Sequence, residues 1–204
     1  MESGRAAQNA NYPRIMPRPL RPQIAGGIFH LTDRGNRRQP IFLDDADRDR
    51  FLGMLDNLTR RRGWVGHAYC LMPNHYHLVL ETPEGDLSTG MQWLNGRYAQ
   101  DFNHRHGVDG HLFQGRFYSG QVETDWHLLE LARYLARNPV DAGLCRHPCE
   151  WRWGSYRAVV GLDRPQTRRF LESGRILGMF GADRSSARKR FRTFVEDAPL
   201  RPPT

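Results

Sequence analysis

Lysine is almost missing from this chain of 204 residues: Lys189 is the single one among 30 basic side chains, and the others are arginine. Cysteine is scarce as well. Cys70, Cys145 and Cys149 form an odd set without framework spacing, which argues against a disulfide scaffold and fits a reducing compartment. The Cys145-Arg146-His147-Pro148-Cys149 stretch lacks the second cysteine pair that a structural zinc site needs. No apolar run is long enough to cross a bilayer, and residues 1–21 lack the apolar core of a secretion signal, so a cytoplasmic protein without a membrane partner is expected. The glycine-rich phosphate loop of nucleotide-hydrolysing enzymes is absent, so no nucleotide cofactor is expected. Nothing repeats at a solenoid period, so one main core is the default.

What the chain has in excess is positive charge. Thirty basic residues stand against 22 acidic ones, giving a formal net charge of +8 and a pI near 10.0, a balance suited to a polyanionic partner. Arginine's planar fork grips phosphate through two hydrogen bonds and stacks on bases, so the bias favours nucleic acid. A G+C-rich coding sequence produces the same bias.

Hydrophobic periodicity divides the chain into an arm, a domain and an extension. Residues 1–22, rich in proline, arginine and small polar side chains, read as a flexible N-terminal arm. Residues 23–162 read as the main domain. A strand over 26–32 leads into Asp33-Arg34-Gly35-Asn36-Arg37-Arg38, where a glycine among arginines offers close backbone approach to a phosphate or forms an ordinary turn. A helix follows over 44–62, with an acidic start, a basic end and Gly63 as its stop. Strands over 64–71 and 75–82 form a hairpin, and a helix over 86–106 buries Leu87, Met91, Leu94, Tyr98 and Phe102. A strand over 118–123 precedes a last helix, which is expected to stop at Asn138 because Pro139 removes the next helical hydrogen bond. The order strand, helix, strand, strand, helix, strand predicts an α+β fold. It is the ferredoxin-like split βαβ pattern with a four-stranded antiparallel sheet, an added helix on the free face and a basic, partly helical extension over 163–204. Within that extension, Ala187, Phe191, Phe194 and Val195 form an apolar strip among arginines. The strip suits either a helix lying on DNA or one packed on the main domain.

Two groups of residues carry chemistry. His75 and His77 flank Tyr76 on one predicted strand and so point to one face, a pair that holds a metal ion or simply belongs to a half-buried strand. On the last helix His127, Glu130, Tyr134 and Asn138 follow at steps of three, four and four, forming one polar stripe. Tyr134 and Asn138, one turn apart, read as nucleophile and third metal ligand, or as a surface tyrosine and a C-terminal cap. Glu130 either orients a ligand or the tyrosine, or pairs with Arg133. Arg133 and Arg137 flank the stripe at phosphate-binding spacing.

Four ordered blocks resemble one known family: Arg34-Gly35-Asn36-Arg37-Arg38, Met72-Pro73-Asn74-His75-Tyr76-His77, His111-Leu112-Phe113-Gln114-Gly115-Arg116-Phe117 and Leu131-Ala132-Arg133-Tyr134-Leu135-Ala136-Arg137-Asn138-Pro139-Val140. Together they look like the REP-associated tyrosine transposases of the HUH single-tyrosine superfamily, over residues 17–162. The resemblance implies His75 and His77 as metal ligands, Asn138 as a third, Tyr134 as the nucleophile, and magnesium or manganese as the ion. Two imidazoles and an amide would by softness alone suit manganese, nickel or zinc better than magnesium. The implied reaction is nicking and joining of single-stranded DNA at palindromic-repeat hairpins through a 5′-phosphotyrosine link, by a monomer or by a dimer that exchanges the tyrosine helix. Arg34, Asn36, Arg37, Arg38, Arg97, Arg105, Arg116, Arg133 and Arg137 are the expected DNA contacts; Phe113, Phe117 and Trp126 either stack on unpaired bases or, as aromatics near a sheet usually do, belong to the core. A hairpin-binding protein that no longer cleaves, and a hydrolase using water on the histidines, are the alternatives.

Overall fold

The computed structural model describes residues 24–163 and 169–197; the expected arm over 1–22 lies outside them. Its centre is a four-stranded sheet built from β1 (Gly27–Arg34), β2 (Val65–Met72), β3 (His75–Thr82) and β4 (Tyr118–Val122), in the order β2-β3-β1-β4 with every neighbour antiparallel. This is the strand order of the expected split βαβ arrangement. Two helices, α1 (Asp45–Arg62) and α2 (Leu87–His106), cover one face, capped by the Asp44 carboxylate at the start of α1 and by left-handed Gly63 and Gly107 at the two C-termini. The alternation within each strand decides which face a residue serves. Phe29 and Leu31, Tyr69 and Leu71, and Tyr76, Leu78 and Leu80 meet Phe51, Leu55, Met91, Leu94 and Tyr98 of the two helices.

The opposite residues of the same strands, Ile28, Ala68, Cys70, Met72 and Val79, form a second core under α3 (Asp125–Asp141). Thr124 caps α3 by accepting the His127 N–H at 3.1 Å. The predicted stop at Asn138 is corrected: α3 runs through Pro139 to Asp141. Proline costs the helix one hydrogen bond, but its buried ring sits in the last turn, and the chain closes behind it through Ala142 N–H to Asn138 O at 3.0 Å and Leu144 N–H to Pro139 O at 2.9 Å. Three shorter helices follow, α4 (Tyr156–Val159), α5 (Gly174–Gly178) and α6 (Arg184–Glu196). Of the two readings of the last one, packing is the one realised. Ala187, Phe191 and Val195 are buried against the α3 core, while Arg184, Arg190 and Arg192 stay outside.

Candidate active site

β1 runs two residues further than its sequence pattern suggests, to Arg34, which pairs in register with His75 at the start of β3. The next residue, Gly35, is irreplaceable for steric reasons: a Cβ there would lie 2.0 Å from the Gln39 carbonyl oxygen. The chain can therefore curl tightly through Asn36–Arg38. Arg37 and Arg38 both adopt positive φ, 53° and 60°, a conformation that costs a non-glycine residue on the order of 1 kcal/mol or more and tends to persist where function over-determines it. Gly35 N–H to Asn74 O at 2.8 Å and Ile41 N–H to Pro73 O at 2.9 Å tie this loop to the β2–β3 turn. The loop that carries these two exposed arginines is thus fixed beside the turn leading into His75.

Each histidine is oriented by a neighbour. The Asn74 amide nitrogen donates to the Arg38 carbonyl at 3.1 Å, so its oxygen faces His75 Nδ1 at 2.7 Å and must accept. His75 therefore carries its proton on Nδ1 and presents Nε2 as a lone pair. His77, only 6% exposed, has Nδ1 at 3.0 Å from His30 Nε2, while its own Nε2 is buried with no hydrogen-bond partner among the described residues. Burial, reinforced by the Arg34 charge, lowers His75 to about 4. Burial first, then His75, His30 and Arg34, pushes His77 well below its usual range. Both imidazoles are neutral at neutral pH, the form that binds metal without competition from protons.

The tyrosine helix closes this face. Tyr134 sets its ring edge-on to His77 with centroids 5.5 Å apart and planes at 83°, so the histidine pair and the expected nucleophile meet within one chain. Asn138 follows one turn later on the same stripe. A buried imidazole nitrogen without a partner, beside a second oriented one, fits a divalent ion. Among the described residues no three His, Cys, Asp or Glu side chains gather to hold one.

A family model described as "Transposase IS200 like" matches residues 24–138, more than half of the chain. The chain belongs to the IS200-like transposase family. Over 138 residues the chain is 23% identical to the REP-associated tyrosine transposase of Escherichia coli K12, spanning 67% of this chain and 81% of that one. A putative REP-associated tyrosine transposase of Haemophilus influenzae Rd is 21% identical over 146 residues, 66% of this chain and 82% of the relative. A solved REP-associated tyrosine transposase bound to a REP hairpin shares the fold with a TM-score of 0.58 and 23% identity, over 72% of this chain and 86% of that one.

Other expected site residues divide into two groups. Arg34 lines the histidines, and Asn36, Arg37, Arg38 and Arg116 are exposed in the loops at that end of the sheet. Phe113 N–H and carbonyl groups lie in a loop tied to β1 through Gln114 N–H to Arg34 O at 3.0 Å and Asn36 N–H to Leu112 O at 2.8 Å. Arg137, expected on phosphate, instead points inward: it is 7% exposed, donates to the Val195 carbonyl at 3.2 Å and pairs with Asp141 at 3.5 Å. Its long stem and fork bridge α3 to α6, an inward use that the sequence spacing alone does not distinguish from phosphate binding. Glu130 pairs with Arg133, which lies over the Phe194 ring at 4.5 Å, so both serve the α3–α6 contact. Arg105 is held by Asp44 at 2.7 Å and by Asp47. Phe117 is buried, and Phe113 packs against Tyr76 and Tyr98, whereas Trp126 is 65% exposed. No helix of the described residues is long and apolar enough to cross a membrane.

Two residues at the site escaped the sequence reading, His30 and Asn74. Asn74 stands beside His75 in sequence but reads as a turn residue. His30 was visible only through alternation: on β1 it shares a face with Ile28, and so with His77.

Proposed function

We propose that this protein nicks and rejoins single-stranded DNA next to repeat hairpins, with Tyr134 as the nucleophile. The observation that carries the reading is the contact of Tyr134 with His77, whose buried Nε2 has no partner among the described residues. Supporting it is the family, together with a relative of the same fold bound to a REP hairpin. His75 and His77 would hold a magnesium or manganese ion, with Asn138 as a third ligand, and such an ion would supply neutralisation of charge on the scissile phosphate. Arg34, Arg37 and Arg38 line the approach and hold flanking phosphates by charge-assisted hydrogen bonds.

In the cleavage step the Tyr134 Oη–P bond forms as the P–O3′ bond breaks. The proton lost by the phenol is matched by one gained at the departing 3′-oxygen, and the DNA 5′ end stays on the tyrosine. Attack by a second 3′-hydroxyl reverses the sequence and joins strands. One ester replaces another at each step, so no nucleotide hydrolysis is needed.

The test is incubation of labelled single-stranded hairpin oligonucleotides with protein and manganese or magnesium, followed by denaturing electrophoresis. A protein–DNA adduct is expected, and it disappears in Tyr134→Phe. An adduct that survives in Tyr134→Phe refutes the nucleophile. Binding without an adduct instead favours a non-cleaving hairpin binder, and cleavage without one favours hydrolysis.

A further inference from the structure

His30 takes no part in the reading above, yet it is the side chain most intimately joined to the site. It lies on the same sheet face as His77, one diagonal step away, because His30 pairs with Val79 and Thr32 with His77 across the β1–β3 ladder. The two rings are nearly parallel, 19° apart, with centroids separated by 5.2 Å and the facing nitrogens by 3.0 Å. Those values exclude a face-to-face stack. Subtracting the nitrogen–nitrogen distance from the centroid separation leaves about the two ring radii, so the imidazoles lie edge to edge in almost one plane. Such a geometry directs the N–H of one ring along the in-plane lone pair of the other.

One proton serves this bond, and its location matters. If His30 Nε2 carried it, His77 would accept at Nδ1 and carry its own proton on Nε2, a donor buried with no acceptor among the described residues. A buried donor left unmade costs about 1–3 kcal/mol. If His77 Nδ1 carries the proton, Nε2 is instead a lone pair facing the tyrosine side of the site. This second tautomer also matches the one that Asn74 imposes on His75, so the two histidines offer the same atom to the same space. Tyr118, edge-on to His30 at 6.3 Å and 74°, helps confine the ring.

We propose that His30 is a positioning residue: by accepting the Nδ1–H of His77 it fixes the tautomer and the plane of that ring, so that Nε2 is held ready for a divalent cation. The proposal rests on the functional reading only in taking that cation as the occupant. Outer partners of this kind commonly contribute 10- to 100-fold in metal affinity.

The experiment uses the full chain without DNA and Mn²⁺ as the probe. Three proteins are compared: wild type, His30→Phe, which keeps a ring but has no acceptor, and His30→Gln, which restores an acceptor oxygen. The ring nitrogens of His77 are read by ¹⁵N NMR in the metal-free proteins, and Mn²⁺ affinity by the EPR signal of free ion. Wild type is expected to show a protonated Nδ1 on His77. His30→Phe is expected to show mixed tautomers and about 10- to 100-fold weaker Mn²⁺ binding, and His30→Gln to recover most of both. Unchanged tautomer and affinity in His30→Phe overturn the proposal. So does an equal loss in His30→Phe and His30→Gln with circular dichroism intact. If the tautomer and Mn²⁺ effects appear while wild type forms no adduct with hairpin DNA, the nicking reading fails and the positioning role stands.

Discussion

Lowering the pH from 7 to 5 should weaken this fold through the histidine face of the sheet. Burial, helped by His127, lowers His30 to about 4, and burial with Arg34 does the same to His75. In the unfolded chain an imidazole titrates near 6.5, so below that value the unfolded state binds protons that the folded state refuses. Stability is then complete above about 6.5 and is lost as pH falls towards 4, at roughly 1.4 kcal/mol per unit for each histidine. Over the one and a half units down to pH 5, His30 and His75 together remove about 4 kcal/mol, and His77 acts in the same direction. Set against a typical domain stability of about 5–15 kcal/mol, that is a large loss. Asp44, lowered to about 2 mainly by its hydrogen bond from Arg105, contributes in the opposite region, below about 4, so the two effects do not overlap. The assay is urea unfolding at pH 7, 6 and 5 with a chelator present, for wild type and His75→Gln. The variant should lose stability less steeply, by about 1.4 kcal/mol per pH unit below 6.5. Parallel losses in the two proteins, or a flat profile in wild type, would refute the reasoning.

Other perturbations test other parts of the structure. Gly90→Ala on α2 would place a Cβ 2.2 Å from the Trp64 ring, and urea unfolding should show a loss of about 1–3 kcal/mol or more, whereas Gly96→Ala, with nothing within 4 Å, should gain about 0.5–1 kcal/mol. Arg37→Gly should raise stability by about 1 kcal/mol because it relieves a positive φ, while weakening single-stranded DNA binding and lowering its logarithmic salt dependence by about 0.7. Fluorescence titrations at several salt concentrations measure the second effect. Phe191→Ala should destabilise by about 3–5 kcal/mol, since its ring is buried between Tyr156, Phe180 and α3; thermal unfolding followed by circular dichroism reads it.

The strands and helices were legible because each obeys its own period. Phe51, Leu55 and Leu58 on α1 and Leu87, Met91 and Leu94 on α2 are apolar where a helix must bury them, and β3 begins and ends at the residues its alternation indicates. Pro139 misled because it sits in the last turn of α3: it costs one hydrogen bond, but only Val140 and Asp141 follow it in the helix, and the Ala142 and Leu144 N–H groups close the turn behind it on the Asn138 and Pro139 carbonyls. The histidine pair and the tyrosine stripe were legible as spacings, and the sheet order brought them into contact. What spacing does not encode is direction around a helix relative to a neighbour that lies far along the chain. Arg133 and Arg137 look like phosphate ligands until α6, some 50 residues later, supplies Phe194 and the Val195 carbonyl as their partners. His30 was hidden for a related reason, since its partner His77 is 47 residues away and only the β1–β3 register makes them neighbours.

That dependence on α6 bears on how the site is assembled. Tyr134 of α3 meets the sheet at His77, and the adjacent side of the same helix is held by Ala187, Phe191 and Val195 of α6, by Arg137 bridging to Val195, and by Arg133 over Phe194. Fully burying a large apolar side chain stabilises by about 1.5–3 kcal/mol, so the Phe191 and Val195 contacts alone are of the size needed to keep α3 seated. An exchange of α3 between two chains would have to break this clasp or carry α6 along with it. Tyr134 already meets His77 in one chain, so exchange brings no shorter approach of its ring to the histidine pair. The basic helix α6 therefore acts first as the brace that keeps Tyr134 beside His77, and its outward arginines face solvent.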